Sequence, residues 1–203
     1  MWQQAPVTSA LAALCVLVFL VDLVAPAIVG LNLALIPARL TGVAVLPGAT
    51  LPAIITPVTM QFVHAGIGHL FINMIFLIFI GRFVEGLLGG GRYLALYIVS
   101  GIAGALLETA LTPDSLVLHV GASGAISGIF AAHIMIFGKR GQQSNRNRGL
   151  QLAAVWIGLQ LMTGLVFNSG GDGGGIAIWA HVGGFLTGLV LALPLARAAI
   201  ASR

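Results

Sequence analysis

Three stretches of this 203-residue chain carry side chains that could do chemistry together. Ser123 lies in HVGASGAISG (119–128), His181 in AHVGGFLTG (180–188), and His64, His69 and Asn73 share HAGIGHLFINM (64–74). A serine hydroxyl becomes a nucleophile when a base takes its proton, and histidine is the usual base near neutral pH. Acyl transfer also needs donors aimed at the developing oxyanion. His69 and Asn73 are four residues apart, about 40° round a helix, so they present donors from one face. His64 stands about 140° from His69 and cannot share that role in a regular helix. Its expected work is structural, holding the preceding segment against the span that follows.

The elements that must position these groups are membrane helices. The chain is 59% apolar and 7% charged, with a mean hydropathy of +1.07, against about 25% charged for a soluble domain. We read it as one all-α membrane domain over residues 1–203. A span needs about 20 mostly apolar residues, and six stretches qualify: roughly 8–29, 66–84, 93–111, 121–138, 150–167 and 176–196. Residues 30–63 are apolar but interrupted by Pro37, Pro47, Pro52 and Pro57, which predicts an irregular, membrane-hugging loop.

With a cytoplasmic N-terminus, the inner segments hold Arg82, Arg92, Lys139, Arg140, Arg146, Arg148, Arg197 and Arg203, and the outer ones only Arg39. That asymmetry predicts both termini on the cytoplasmic side. It puts His64, His69, Asn73, Ser123 and His181 at similar depth in the outer part of the bilayer, on three helices. The scattered basic residues fit topology better than a phosphate-binding face, so no nucleic-acid partner is expected. The N-terminus lacks the basic region of a cleavable signal peptide, so the first span is expected to remain as an anchor. Lone Cys15 forms no intrachain disulfide.

Small residues let these helices approach. Gly124 and Gly128 form a GxxxG in the fourth span, Gly184 and Gly188 another in the sixth, and such pairs allow close backbone contact in lipid. His181, Gly184 and Gly188 fall within about 60° on one helix face, so a Ser123–His181 hydrogen bond across that seam is geometrically reasonable.

Taken singly, each residue has a plainer reading: Ser123 as packing, His181 as an interfacial histidine, Asn73 as interhelical glue. His119, His133, Asp114 and Asp172 read as unremarkable, and Glu85, flanked by Arg82 and Arg92, as an ion-pairing or capping residue. Other chemistries fit worse. HAGIGH lacks the spacing and the Glu of a HExxH zinc site, and GASGA follows no strand and misses the last glycine of a GxSxG elbow. A small transporter with a midplane site is the non-enzyme rival, but the polar groups cluster on the outer side and no inverted repeat is visible. A Ser–His dyad fits best.

Several motifs in order resemble the rhomboid intramembrane serine proteases. HAGIGHLFINM is similar to the family's HxxxxHxxxN, GRFVEGLLGGGRY to its GxxxExxxG, GASGAISG (with Gly121) to its GxSG, and AHVGGFLTG to its AHxxGxxxG, together covering roughly residues 56–190. The resemblance implies a six-helix bundle that cleaves single-pass membrane proteins near the outer end of their transmembrane helix, without metal or cofactor. It implies Ser123 as nucleophile, His181 as general base without a catalytic Asp, and His69, Asn73 and the Ser123 backbone N–H as oxyanion hole, with His64 supportive. The expected setting is a bacterial inner membrane, its lipid, and a site opening outward. A catalytically silent, client-binding relative is the alternative; such relatives typically lack the Ser or the His.

Three departures stand out. Where the family often has a Trp-Arg pair in the first loop, this chain has Ile55 and Thr56. Ile178 precedes His181 at a position that is polar in some members. Ser127 replaces a common aromatic one turn beyond the nucleophile, so His181 is expected to be held by a hydrogen bond from Ser127, or failing that by tighter packing through Gly184 and Gly188.

Overall fold

The computed structural model describes residues 4–137, 151, 154, 156, 158 and 177–202. We number its longer helices α1 (Pro6–Val24), α2 (Pro26–Leu33), α3 (Ile67–Leu88), α4 (Gly90–Leu111), α5 (Ser123–Phe137) and α6 (Ile178–Ala201). Among the described residues there are no strands, only an isolated bridge between Leu35 and His119. α1, α3, α4 and α6 are long and apolar enough to cross a membrane, and α5 is a shorter apolar helix. The described residues are therefore helical throughout their regular structure, and the chain is a multi-pass membrane protein. The expected fifth span, 150–167, lies for the most part outside the described residues, and the expected fourth is the shorter α5. Four of the six expected spans therefore have a described helix long and apolar enough to cross a membrane.

Local chemistry sets the boundaries. The expected first span, 8–29, is cut at Ala25: Pro26 has no N–H to continue the ladder of α1 and instead starts α2. α3 runs four residues past its expected end and meets α4 across Gly89, whose φ of +78° turns the chain at a position L side chains avoid. Residues 34–63 form the expected irregular loop, built from one-turn helices at Pro37–Leu40 and Thr56–Thr59 and 3₁₀ turns at Ala53–Ile55 and Met60–Phe62. Hydrogen bonds tie it to itself and to the end of α2. The Arg39 guanidinium donates to the Leu31 carbonyl at 2.7 Å and to that of Leu51. Asn32 Oδ1 accepts from the Thr50 and Leu51 N–H groups at 2.7 and 2.9 Å.

Glu85 is a cap. Buried near the C-terminal end of α3, its carboxylate accepts from the Val7 and Thr8 N–H groups at 2.9 and 2.8 Å and from the Thr8 hydroxyl at 2.7 Å. These are first-turn donors of α1 that lack intrahelical partners.

α6 lies between α4 and α5, its most extensive neighbours. Glycines make the approach possible on both sides. A Cβ on Gly184 would strike the Gly124 carbonyl, and one on Gly188 the Gly128 carbonyl. On the other side, a Cβ on Gly183 would stand 2.9 Å from the Gly104 Cα. Both expected GxxxG pairs thus face each other across one seam.

Candidate active site

Ser123 is the first residue of α5 and partly exposed. Its backbone N–H belongs to the unpaired donors at a helix N-terminus, where the helix dipole adds partial positive charge. His181 stands in the first turn of α6, 7% exposed. Its Nε2 is 2.6 Å from Ser123 Oγ, a short hydrogen bond with the hydroxyl donating when Nε2 is unprotonated. His181 Nδ1 is buried and has no partner among the described residues. Among the described residues no carboxylate orients this ring through Nδ1, and helix packing holds it.

His69 faces the turn that leads into Ser123. Gly121 has φ +128°, and a Cβ there would fall 2.9 Å from His69 Nε2 and 3.5 Å from Ser123 Oγ. Only glycine fits this turn and lets the imidazole so near. His69 Nδ1 accepts the Ala65 N–H at 3.4 Å, which leaves the hydrogen on Nε2, the nitrogen beside the turn. Asn73 is buried one turn further along α3, and its side-chain N–H donates to the His69 carbonyl at 2.8 Å. An amide carries a second N–H, so this bond leaves one donor in hand.

His64 is fully buried, packs edge-on against His69 with ring centroids 5.2 Å apart, and has Nδ1 3.3 Å from the Phe62 carbonyl. Burial, with a smaller push from His69, lowers its pKa to about 4. His64 is a buried neutral ring lying between the end of the loop and the first turn of α3.

One expectation fails. The Ser127 hydroxyl donates to the Ser123 carbonyl at 2.8 Å, one turn back on its own helix, and not to His181. Small hydroxyls in helices commonly bond this way. The other option describes the molecule: the seam has closed at Gly124–Gly184 and Gly128–Gly188, beside a fully buried Ser127. Of the other departures, Thr56 is buried with its hydroxyl donating to the Ala53 carbonyl at 2.6 Å, and Ile178 opens α6 half-buried.

Two residues gain importance. His119 is buried, exchanges backbone hydrogen bonds with Leu35 at 2.8 and 3.0 Å, and leads into Gly121, whose N–H donates to the Met60 carbonyl at 2.9 Å. Burial lowers its pKa to about 4. Glu108, in the last turn of α4 and 4% exposed, accepts the Ala180 N–H on Oε2 at 3.1 Å and has Oε1 3.9 Å from His119 Nε2. The signal for Glu108 was in the sequence: it is a carboxylate inside a predicted span, where an ionisable group is expensive and needs a reason.

A nucleophile within hydrogen-bond reach of a base, beside a helix N-terminus and a neutral imidazole donor, can support acyl transfer. Comparison with known proteins points the same way. A family model described as Rhomboid domain matches residues 52–198. The chain is 32% identical to rhomboid protease GluP of Bacillus subtilis over 71% of this chain and 27% of that protein. It is 32% identical to RHOMBOID-like protein 2 of Arabidopsis thaliana over 66% of this chain and 40% of that one. Against Rhomboid-like protease 3 of Toxoplasma gondii it is 30% identical, over 66% and 49%. The chain thus spans from about a quarter to about half the length of these relatives. With the matched region running from the loop before α3 almost to the end of α6, the chain belongs to the rhomboid family.

Proposed function

We propose that this chain is an intramembrane serine endopeptidase, cleaving transmembrane segments of single-pass membrane proteins near their outer end with a Ser123–His181 dyad. The observation that carries the reading is the 2.6 Å approach of His181 Nε2 to Ser123 Oγ across a glycine-lined helix seam. His181 Nε2 takes the hydroxyl proton as Oγ bonds to the scissile carbonyl carbon. The carbonyl oxygen becomes an oxyanion, met by the Ser123 N–H, His69 Nε2–H and the free amide N–H of Asn73. Collapse breaks the C–N bond, and His181 passes its proton to the leaving amine. Water then repeats the sequence against the acyl-enzyme, with His181 again the base, and frees Ser123.

The same reading puts both termini on the cytoplasmic side and the site toward the outer face of a bacterial inner membrane. The clustering of basic residues away from the His64–His69 end of α3 supports it.

The test is labelling with a fluorophosphonate serine-hydrolase probe in wild type, Ser123→Ala and His181→Ala. Labelling of wild type alone is expected. A wild-type protein that stays unlabelled and leaves transmembrane substrates intact would point instead to a silent, client-binding member of the family.

A further inference from the structure

We propose that Glu108 is a positioning residue for the Ser123–His181 pair, acting through the backbone of α6. This inference rests on the protease reading above. The His181 ring has no acceptor on Nδ1 among the described residues, so its place depends on how the first turn of α6 is held. That turn begins at Ile178, and its early N–H groups have no intrahelical acceptor. Ile178 is preceded by Ala177, which makes no side-chain cap. Glu108 supplies the missing acceptor from a neighbouring helix: Oε2 takes the Ala180 N–H at 3.1 Å, and the carboxylate also faces the Trp179 N–H. A negative charge at a helix N-terminus is favoured by the exposed donors and the dipole.

The other oxygen of Glu108 faces His119 at 3.9 Å. His119 is tied to Leu35 through its backbone and is two residues from Gly121 and four from Ser123. One buried carboxylate therefore touches both lines of chain that feed the pair, the start of the base's helix and the segment that runs into the nucleophile's. α4 and α6 are already in close contact one turn earlier at Gly104, where any Cβ would strike the Ala180 carbonyl. Rhomboid membership alone does not supply this role. It follows from Glu108 lying against the residue before His181.

The experiment compares wild type, Glu108→Leu, Glu108→Gln and Glu108→Asp in detergent. It measures the rate of fluorophosphonate labelling at Ser123, kcat and KM for a transmembrane substrate, and thermal melting. Glu108→Leu removes every acceptor and should lower both kcat and labelling rate about ten-fold or more, with KM within about two-fold, because small misplacements of reacting groups are costly. Glu108→Gln keeps a carbonyl oxygen for the Ala180 N–H and should recover to within about three-fold of wild type. Glu108→Asp keeps the charge but withdraws the acceptor by one methylene, so it should label more slowly than Glu108→Gln.

Wild-type labelling in folded Glu108→Leu overturns the proposal, as does a loss that Glu108→Gln fails to recover. Should Glu108→Leu not fold, the milder pair decides: Glu108→Asp labelling as fast as wild type overturns it. If wild type itself neither labels nor cleaves, the protease reading falls and takes this role with it. If wild type labels and the Glu108 variants are indifferent, only the positioning role falls.

Discussion

The α5–α6 seam and the facing end of α3 hold the site by different means. Along the seam, glycine lies against backbone carbonyl at Gly124–Gly184 and Gly128–Gly188, so Ser123 and His181 are fixed by main-chain contact. On α3, His69 and Asn73 are fixed by side-chain bonds, one long at 3.4 Å to Ala65 and one within the helix at 2.8 Å. At Gly184 and Gly188 the seam has no room for a Cβ, whereas the α3 side can shift by rotating a side chain. In the proposed mechanism, proton transfer needs a fixed separation and would draw on the rigid region, whereas oxyanion stabilisation would be shared among several donors and draw on the adjustable one.

Changes on the seam should therefore cost most. Ser123→Ala and His181→Ala should each lower substrate cleavage by about 10⁴-fold or more with folding intact, since nucleophile and base act as a unit. More than a tenth of wild-type activity in either would end the dyad assignment. Gly184→Ala should follow at about 10²-fold, because its new Cβ meets the Gly124 carbonyl and forces α5 and α6 apart. Melting and kcat measured together distinguish a displaced pair from an unfolded protein.

Asn73→Ala should be milder, between about ten- and a hundred-fold in kcat. A lone donor is typically worth about 10²–10³, but His69 and the Ser123 N–H remain. If Asn73→Ala costs more than Gly184→Ala, the contrast between the two regions is reversed.

Acid should act mainly through stability at the edge of the adjustable side. Unfolded imidazoles take protons from about pH 6.5, whereas burial keeps folded His64 and His119 neutral down to about 4. The unfolded state thus gains protons first, and stability present above pH 6.5 is lost as pH falls across that window. Melting temperature should drop between pH 6.5 and 4, and less steeply in His119→Gln. The smallest effect is expected of Ser127→Ala, with kcat near wild type because among the described residues its hydroxyl bonds to the Ser123 carbonyl and not to His181. Ser127→Tyr should inactivate, since a ring has no room in a seam closed around a small side chain.

Much of the site is legible in the sequence because its spacing is local. HAGIGHLFINM places His69 and Asn73 on one helix face whatever surrounds them, and the paired GxxxG motifs state which helices can touch. The break at Ala25–Pro26 is legible in principle, but a window of apolar residues runs through it. Partnerships between distant residues are not legible. The bond from Ser127 goes to its own helix because a nearby carbonyl outcompetes a ring across the seam. Glu108 and Ala180 are 72 residues apart, and neither residue's neighbours mark the other.

Glu85 has a consequence for how the protein is assembled. Alone in a bilayer, α3 would carry a carboxylate with nothing to accept from, which is expensive in hydrocarbon. Its donors, Val7 and Thr8, are 78 and 77 residues earlier in the chain, so they are synthesised first and are already waiting when α3 emerges. The bond closes a long loop, but loop entropy grows only slowly with length. α1 and α3 can therefore settle into the membrane as a pair before α5 and α6 exist, leaving the Ser123–His181 seam to form last, against a scaffold already in place.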